Sequence, residues 1–413
     1  MPKPVDFCCA GGVKGRYPWR MIHRFAECTL DTGRHELCRD GVPVHVEPQV
    51  FALLAMMAGA GGAVVSKDEL VATVWKGLNV SDATISARIN AARKAVGDDG
   101  TAQRVIRTVP KRGFQMVAPV EVEGAAAAPS RPVAAPTIRY ATSADGEVIA
   151  HAHNGAGPPL VRVGHWLSHL ELDWDCPVWQ PLMARLGEHF TLYRYDQRGT
   201  GLSSRATDNL SLDAFADDLA AVVEANGLER VAIFAASQAV PVALRFAAKH
   251  PERINRMALY GGYSVGRVYR EAAPGEVDEE TILGLIRAGW GREGSAFLNA
   301  FTALFMPDAT PEQVQSIVRI QQQSVSAESA ALLRQAVDRL VVEEDLAHVR
   351  APVLLAHARD DAIHPFSQSQ RMAARLPDAR LMMLDTRNHV PLPQEEGWEK
   401  LMQAVISFCG GDG

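Results

Sequence analysis

Residues 124–137 read Gly-Ala-Ala-Ala-Ala-Pro-Ser-Arg-Pro-Val-Ala-Ala-Pro-Thr, with three prolines, six alanines and no apolar period. A segment of this kind is a semi-extended joiner and cannot sit inside a packed core. It therefore divides the 413-residue chain into two folding units, which its length already favours. With 47% hydrophobic and 22% charged residues, both sides have the composition of globular domains, and disorder and fibrous repeats are excluded.

Charge is distributed unevenly about the break. Residues 1–125 carry 16 Lys+Arg against 13 Asp+Glu, whereas the rest of the chain is acidic enough to bring the total to −6. A positive balance at one end of an acidic chain points weakly to a polyanionic partner. No uninterrupted run of eighteen apolar residues occurs, and Met1–Arg20 contains Lys3, Asp6, Lys14 and Arg16 where a signal peptide needs an apolar stretch. The expectation is a cytoplasmic protein with no membrane partner. Six cysteines, at 8, 9, 28, 38, 176 and 409, show neither metal-ligand spacing nor the density of a disulfide framework, so no metal and no cofactor is expected.

Before the break, short strands are expected at Phe25–Leu30, Glu36–Arg39 and Val42–Val46, separated by the turns at Asp31-Thr32-Gly33 and Asp40-Gly41. Helices follow at Pro48–Met57, at Ser66–Trp75, where Ser66 and Glu69 have capping-box spacing, and at Ser81–Val96. In the last helix Ile85, Ile89, Ala92 and Val96 mark one face, leaving Thr84, Arg88, Asn90, Ala91 and Lys94 on others. Val105–Thr108 and Phe114–Ala118 then flank Pro110-Lys111-Arg112-Gly113, a ribbon with a basic tip. A helix presenting Arg and Asn, followed by a basic ribbon, suits a major groove and the adjoining backbone of double-stranded DNA.

The set Phe25…Leu30-Asp31, Leu37…Gly41…Val44, Ser66-Lys67-Asp68-Glu69-Leu70…Val74-Trp75, Val80-Ser81-Asp82-Ala83-Thr84-Ile85, Ala92-Arg93-Lys94-Ala95-Val96-Gly97-Asp98-Asp99-Gly100 and Ile106-Arg107-Thr108-Val109-Pro110…Gly113-Phe114 covers this whole unit. It resembles the winged-helix DNA-binding domain of OmpR/PhoB-type regulators, in its CadC/ToxR-like variant. The resemblance implies groove contacts from Arg88 and Asn90, backbone contacts from Thr84 and Arg93, and wing contacts from Thr108, Lys111 and Arg112. Two roles are open to Arg93, a phosphate contact or a structural tie from the helix to an acidic neighbour. Paired half-sites imply a homodimer. The expected layout is a disordered leader over 1–21 holding the Cys8-Cys9 pair, a winged helix over 22–120, a linker over 121–137 and a second domain over 138–410.

After the break, strands at 138–142, 148–154, 160–164, 191–196, 230–235, 256–260, 353–358 and 379–384 alternate with helices, the order of an α/β fold with a mainly parallel sheet. Val231-Ala232-Ile233-Phe234 runs through Ala235-Ala236-Ser237-Gln238-Ala239 into a helix. A serine on such a turn is pushed out above the sheet beside helix-start N–H groups, and small residues two before and two after are a steric need. Asp361 and His389 each follow a later strand, in the chain order Ser…Asp…His. Ser237 is read as nucleophile, His389 as general base and Asp361 as the group orienting it, with Asp360 as the rival acid.

With Tyr195-Asp196-Gln197-Arg198-Gly199-Thr200-Gly201-Leu202-Ser203, these features resemble the α/β-hydrolase superfamily. Trp166-Leu167-Ser168-His169-Leu170-Glu171, Trp174, Pro177-Val178-Trp179 and Tyr260-Gly261-Gly262-Tyr263 look like hydrolase modules fused to regulatory domains. The resemblance implies an oxyanion hole from the backbone N–H groups of Gln238 and Trp166, and a helical lid over about 264–345. Trp166, Trp290, Phe301 and Phe305 are expected to line a pocket for a small hydrophobic or aromatic ligand. Three functions follow: a one-component transcriptional regulator sensing such a ligand, a regulator that also cleaves its inducer as a weak serine hydrolase of ester, lactone or amide type, and a hydrolase with an incidental appendage.

Overall fold

Hairpin chemistry begins the first unit of the computed structural model, which describes residues 22–32, 34–75, 80–123, 137–271, 277–292 and 294–411. The expected leader with Cys8-Cys9 and nearly all of the expected linker lie outside the described residues. Chain contacts separate Met1–Pro132 from Val133–Gly413.

In the first unit, β1 (Ile22–Phe25), β2 (Cys28–Asp31), β3 (Glu36–Arg39) and β4 (Val42–Val44) pair antiparallel in succession. The expected single strand Phe25–Leu30 is instead a hairpin: Phe25 pairs with Cys28 across Ala26-Glu27, with Ala26 at φ 47°. A turn without Gly or Asn gives no local warning. At the next hairpin Asp40 and Gly41 stand at φ 51° and 75°, the left-handed pair that a two-residue turn needs.

Helices α1 (Pro48–Gly59), α2 (Lys67–Val74) and α3 (Asp82–Ala95) are joined by β5 (Val64–Val65). The capping box at α2 is complete: Glu69 N donates to Ser66 Oγ at 3.2 Å, and Ser66 N donates to Glu69 Oε2 at 2.7 Å. Ile85, Ile89, Ala92 and Val96 bury the inner face of α3 against Phe51, Leu54 and Leu70. The wing is the hairpin of β6 (Ile106–Val109) and β7 (Gly113–Met116), which also pairs with β5. A Cβ on Gly113, at φ 139°, would stand 2.0 Å from the Val65 carbonyl oxygen, so this junction admits only glycine. Finally β8 (Val120–Glu123), absent from the sequence expectation, returns to pair with β1 and complete a sheet ordered β4-β3-β2-β1-β8.

The second unit opens with β9 (Arg139–Thr142), β10 (Val148–Asn154), β11 (Pro159–Arg162), α4 (Trp179–Gly187), β12 (Thr191–Tyr195), α5 (Leu212–Ala225), β13 (Val231–Ala236), α6 (Ala239–Lys249) and β14 (Ile254–Tyr260). Four helices come next: α7 (Glu279–Gly289), α8 (Ala296–Phe305), α9 (Pro311–Ser324) and α10 (Ala327–Val337). The chain ends with β15 (Val353–Ala358), α11 (Ser367–Ala373), β16 (Ala379–Leu384) and α12 (Glu396–Gly410). Eight strands form one sheet, ordered β16-β15-β14-β13-β11-β12-β10-β9 and parallel from β12 to β16. The order turns back between β11 and β13, so the crevice beyond their carboxyl ends is the topological switch point where such sheets bind ligands. Helices α7 to α10 join the same apolar core as the sheet through Ile286, Trp290, Leu298, Val318 and Leu333.

Candidate functional site

Ser237 occupies that crevice. It follows β13, stands at φ 56° and precedes the first turn of α6, the strained position that lifts a side chain clear of both elements. Its N–H donates to Tyr260 O at 2.9 Å, which pins the turn to β14. Ala235 and Ala239 are wholly buried on either side, so methyl groups occupy the space under the turn.

The register Arg162↔Phe234, carried forward, sets Gly164-His165-Trp166 beside Ala236-Ser237-Gln238. His165 is locked there: Arg162 Nη2 donates to its Nε2 at 2.6 Å, leaving Nδ1–H to donate to Trp166 O at 2.8 Å. Burial, reinforced by the Arg162 charge, lowers the His165 pKa to about 3, which fixes the neutral ring.

Asp361 lies three residues beyond β15 and His389 five beyond β16. His389 Nδ1 donates to Asp361 Oδ2 at 2.7 Å, and Asp361 Oδ1 accepts from the backbone N–H groups of Ile363 and His364 at 2.8 and 3.0 Å. Burial pushes the Asp361 carboxyl up, but His389 and these hydrogen bonds outweigh it and hold it below the usual value. Asp360, the rival acid, is exposed. His389 Nε2 is buried without a hydrogen-bond partner among the described residues. The imidazole is thus oriented by a carboxylate on one side and has an open acceptor on the other. Tyr260 Oη donates to Asn388 O at 3.0 Å, and Val390 N donates to Phe305 O at 3.0 Å, so the histidine loop is held from the sheet and from α8 at once.

Ser237 and His389 line one cavity of about 100 Å³, together with Trp166, Gln238, Phe305 and residues of α9 and α10. Two of the expected lining residues do not border it. Trp290 and Phe301 are buried against Trp166, at ring separations of 6.0 and 6.1 Å, and Phe301 instead lines a neighbouring cavity that shares Phe305 and Arg334 with this one. Sequence reasoning missed Thr302, Gln321, Arg334 and Asp338, which do line it. For Arg334 and Asp338 the i, i+4 spacing was visible, but not which way that side of the helix turns.

The first unit presents a separate surface. Asn90, Arg93, Thr108, Lys111 and Arg112 border one groove between α2, α3 and the wing, whereas Thr84 and Arg88 lie outside it. Thr84 Oγ1 stands 3.0 Å from the Ser81 hydroxyl in the helix cap. Arg88 pairs with Glu47 at 2.6 Å and donates to Gln49 at the start of α1. Arg93 is tied to the wing through a carbonyl and a hydroxyl, rather than to the acidic neighbour expected. The side chain is buried, and its Nε and Nη2 donate to Ile106 O at 3.1 Å and Thr108 Oγ1 at 2.8 Å. The outward residues of α3 include Ala83, Ser86, Ala87, Asn90 and Lys94, so Ser86 and Lys94 were further candidates that spacing from Asn90 could have found.

Residues 166–396, more than half of the chain, match the family model described as alpha/beta hydrolase fold. The chain belongs to the alpha/beta hydrolase fold family. Residues 41–116 match the model of the transcriptional regulatory protein C-terminal domain, so this hydrolase-fold chain also carries an OmpR/PhoB-type regulator domain. Similar proteins divide the same way. The protein named carbamate hydrolase RutD in Caulobacter sp. (strain K31) is 28% identical over 255 residues, 57% of this chain and 86% of that protein. The pimeloyl-[acyl-carrier protein] methyl ester esterase of Nitrosomonas europaea is 28% identical over 57% of this chain and 90% of its own length. The transcriptional activator CadC of Escherichia coli K12 is 32% identical over 143 residues, 33% of this chain and 28% of CadC. The esterase EaEST of Exiguobacterium antarcticum superposes with a TM-score of 0.58 at 19% identity, over 67% of this chain and all of that one, a likeness of fold.

Proposed function

We propose that the chain is a one-component transcriptional regulator: the winged helix binds double-stranded DNA, and the hydrolase-fold domain binds a small, largely apolar ligand in the cavity beside Ser237. The observation that supports this is the presence, on one chain, of a regulator domain and an enclosed cavity walled by Trp166, Phe305, Met306, Ile317 and Ile320. Ligand-dependent occupancy would bias how the DNA-binding units pair on two half-sites, which a homodimer would supply.

A second reading is favoured by one observation, the 2.7 Å His389–Asp361 bond beside the strained Ser237. In it the regulator also cleaves its ligand. His389 Nε2 takes the Ser237 proton as Oγ attacks an acyl carbon, Asp361 stabilises the imidazolium, and the N–H groups of Gln238 and Trp166 receive the oxyanion. The imidazolium then protonates the leaving group, and water repeats the sequence to release the acid.

Ser237→Ala separates the two readings. Hydrolysis of p-nitrophenyl butyrate should fall at least ~1000-fold if the serine is the nucleophile. Ligand-induced changes in DNA band retardation should survive if binding alone carries the signal and should be lost if chemistry does. A wild-type chain that retards no DNA fragment would overturn the regulator reading.

A further inference from the structure

The cavity's lid-side wall carries charge that neither an apolar ligand nor ester chemistry requires. Asp338, at the end of α10, is buried and shared by two guanidinium groups: Arg334 Nε donates to its Oδ2 at 2.8 Å and Arg267 Nε at 3.3 Å. Among the described residues Arg334 thus shares its only carboxylate partner with a second guanidinium. Arg334 and Asp338 both line the cavity that holds Ser237 and His389.

Arg334 spends only Nε on Asp338. Its guanidinium lies 5.7 Å from the centre of the Trp166 ring, and among the described residues no hydrogen bond occupies its Nη1–Nη2 edge. A planar donor pair held against an aromatic wall is the shape that receives a carboxylate through two parallel bonds. The neighbouring titratable group agrees. Burial, then the His389 ring and the charges of Arg270 and Arg334, push His364 well below its ordinary pKa, so this ring is neutral and does not compete with Arg334 for an anion.

Resting on the reading of this cavity as a ligand site, we infer that its ligand is an amphiphilic acid: an apolar body placed against Trp166 and Phe305 and a carboxylate held by Arg334. Where the chain hydrolyses its ligand, the substrate class is a half-ester or half-amide of a dicarboxylic acid, or a lactone bearing a free acid. One carbonyl faces Ser237 and the distal carboxylate faces Arg334.

The test is a calorimetric titration of the full chain with hexanoate and with hexanamide, which share a body and differ in charge. Wild type should bind hexanoate about tenfold or more tightly than the amide, the scale of one charge-assisted contact. That preference should vanish in Arg334→Met and return in part in Arg334→Lys. Equal binding of acid and amide by wild type overturns the inference. So does a preference that persists in Arg334→Met, since the acid is then held at the oxyanion position. Failure of both compounds to bind, with no hydrolysis of p-nitrophenyl butyrate or of mono-p-nitrophenyl glutarate, overturns the cavity reading itself. With active enzyme, Arg334→Met should raise KM for the glutarate half-ester about tenfold more than it raises KM for the butyrate ester, a split that general unfolding does not produce.

Discussion

Ser237 shows how little of a site can be carried by residue type alone. The serine, aspartate and histidine were legible because each follows a strand in a fixed order, and alanine at 235 and 239 still meets the steric need of the turn. What the order could not reveal was how the pieces are braced, because those contacts link residues distant in sequence. Gly262 is such a brace: a Cβ there would stand 2.4 Å from the Val240 side chain. Gly262→Ala should therefore destabilise the hydrolase-fold domain by about 1–3 kcal/mol, the usual cost of overpacking. A double variant with Val240→Gly, which removes all the clashing atoms, should be less destabilised in urea unfolding than the sum of the two single variants. Recovery by an unrelated small substitution elsewhere would dismiss the clash as the cause.

Among the elements, the helices before the break were read to within a residue or two where caps and periodicity agreed, as at Ser66 for α2. The misreadings share a physical origin. The β1–β2 turn lacks a special residue, and β8 is ordered by its pairing with β1 across the whole unit, which no local window contains. The places of Trp290 and Phe301 were hidden for a related reason, since both are apolar in either role and only tertiary packing decides which of them borders a cavity. Asp98, which follows α3, illustrates the reverse case of a side chain that organises a loop. Its carboxylate accepts from the N–H groups of Asp99, Arg104, Val105 and Ile106 at 2.9–3.0 Å. These bonds overcome the upward push of burial and hold the group below its usual pKa. Asp98→Ala should cost about 2 kcal/mol or more by orphaning buried donors. It should also loosen the start of the wing, read as faster amide exchange at Val105 and Ile106.

For the molecule as a whole, acid should act first on the histidines of the second unit. His165, His357 and His364 are all held neutral, chiefly by burial, against a model-peptide value of 6.5. Unfolding lets them bind protons that the fold refuses. Their contribution is intact above pH 6.5 and declines as pH falls through the window towards about 3, where His165 protonates in the folded state. Urea midpoints followed by tryptophan emission should drop steadily below pH 6.5, and a flat profile from 6.5 to 5 would contradict the assignment. For His357, whose Nδ1 lies 2.7 Å from Ser369 Oγ and whose Nε2 lies 2.8 Å from His364 O, burial outweighs the upward pull of the bond to His364 and of the Asp361 charge.

The single bond from Val390 N to Phe305 O carries a mechanical implication. The last residue of α8 is tethered one peptide away from the imidazole, so that helix cannot lift to admit a guest without tugging on the base. Access and proton transfer therefore share one handle, and a mutation that slackens it would alter both together.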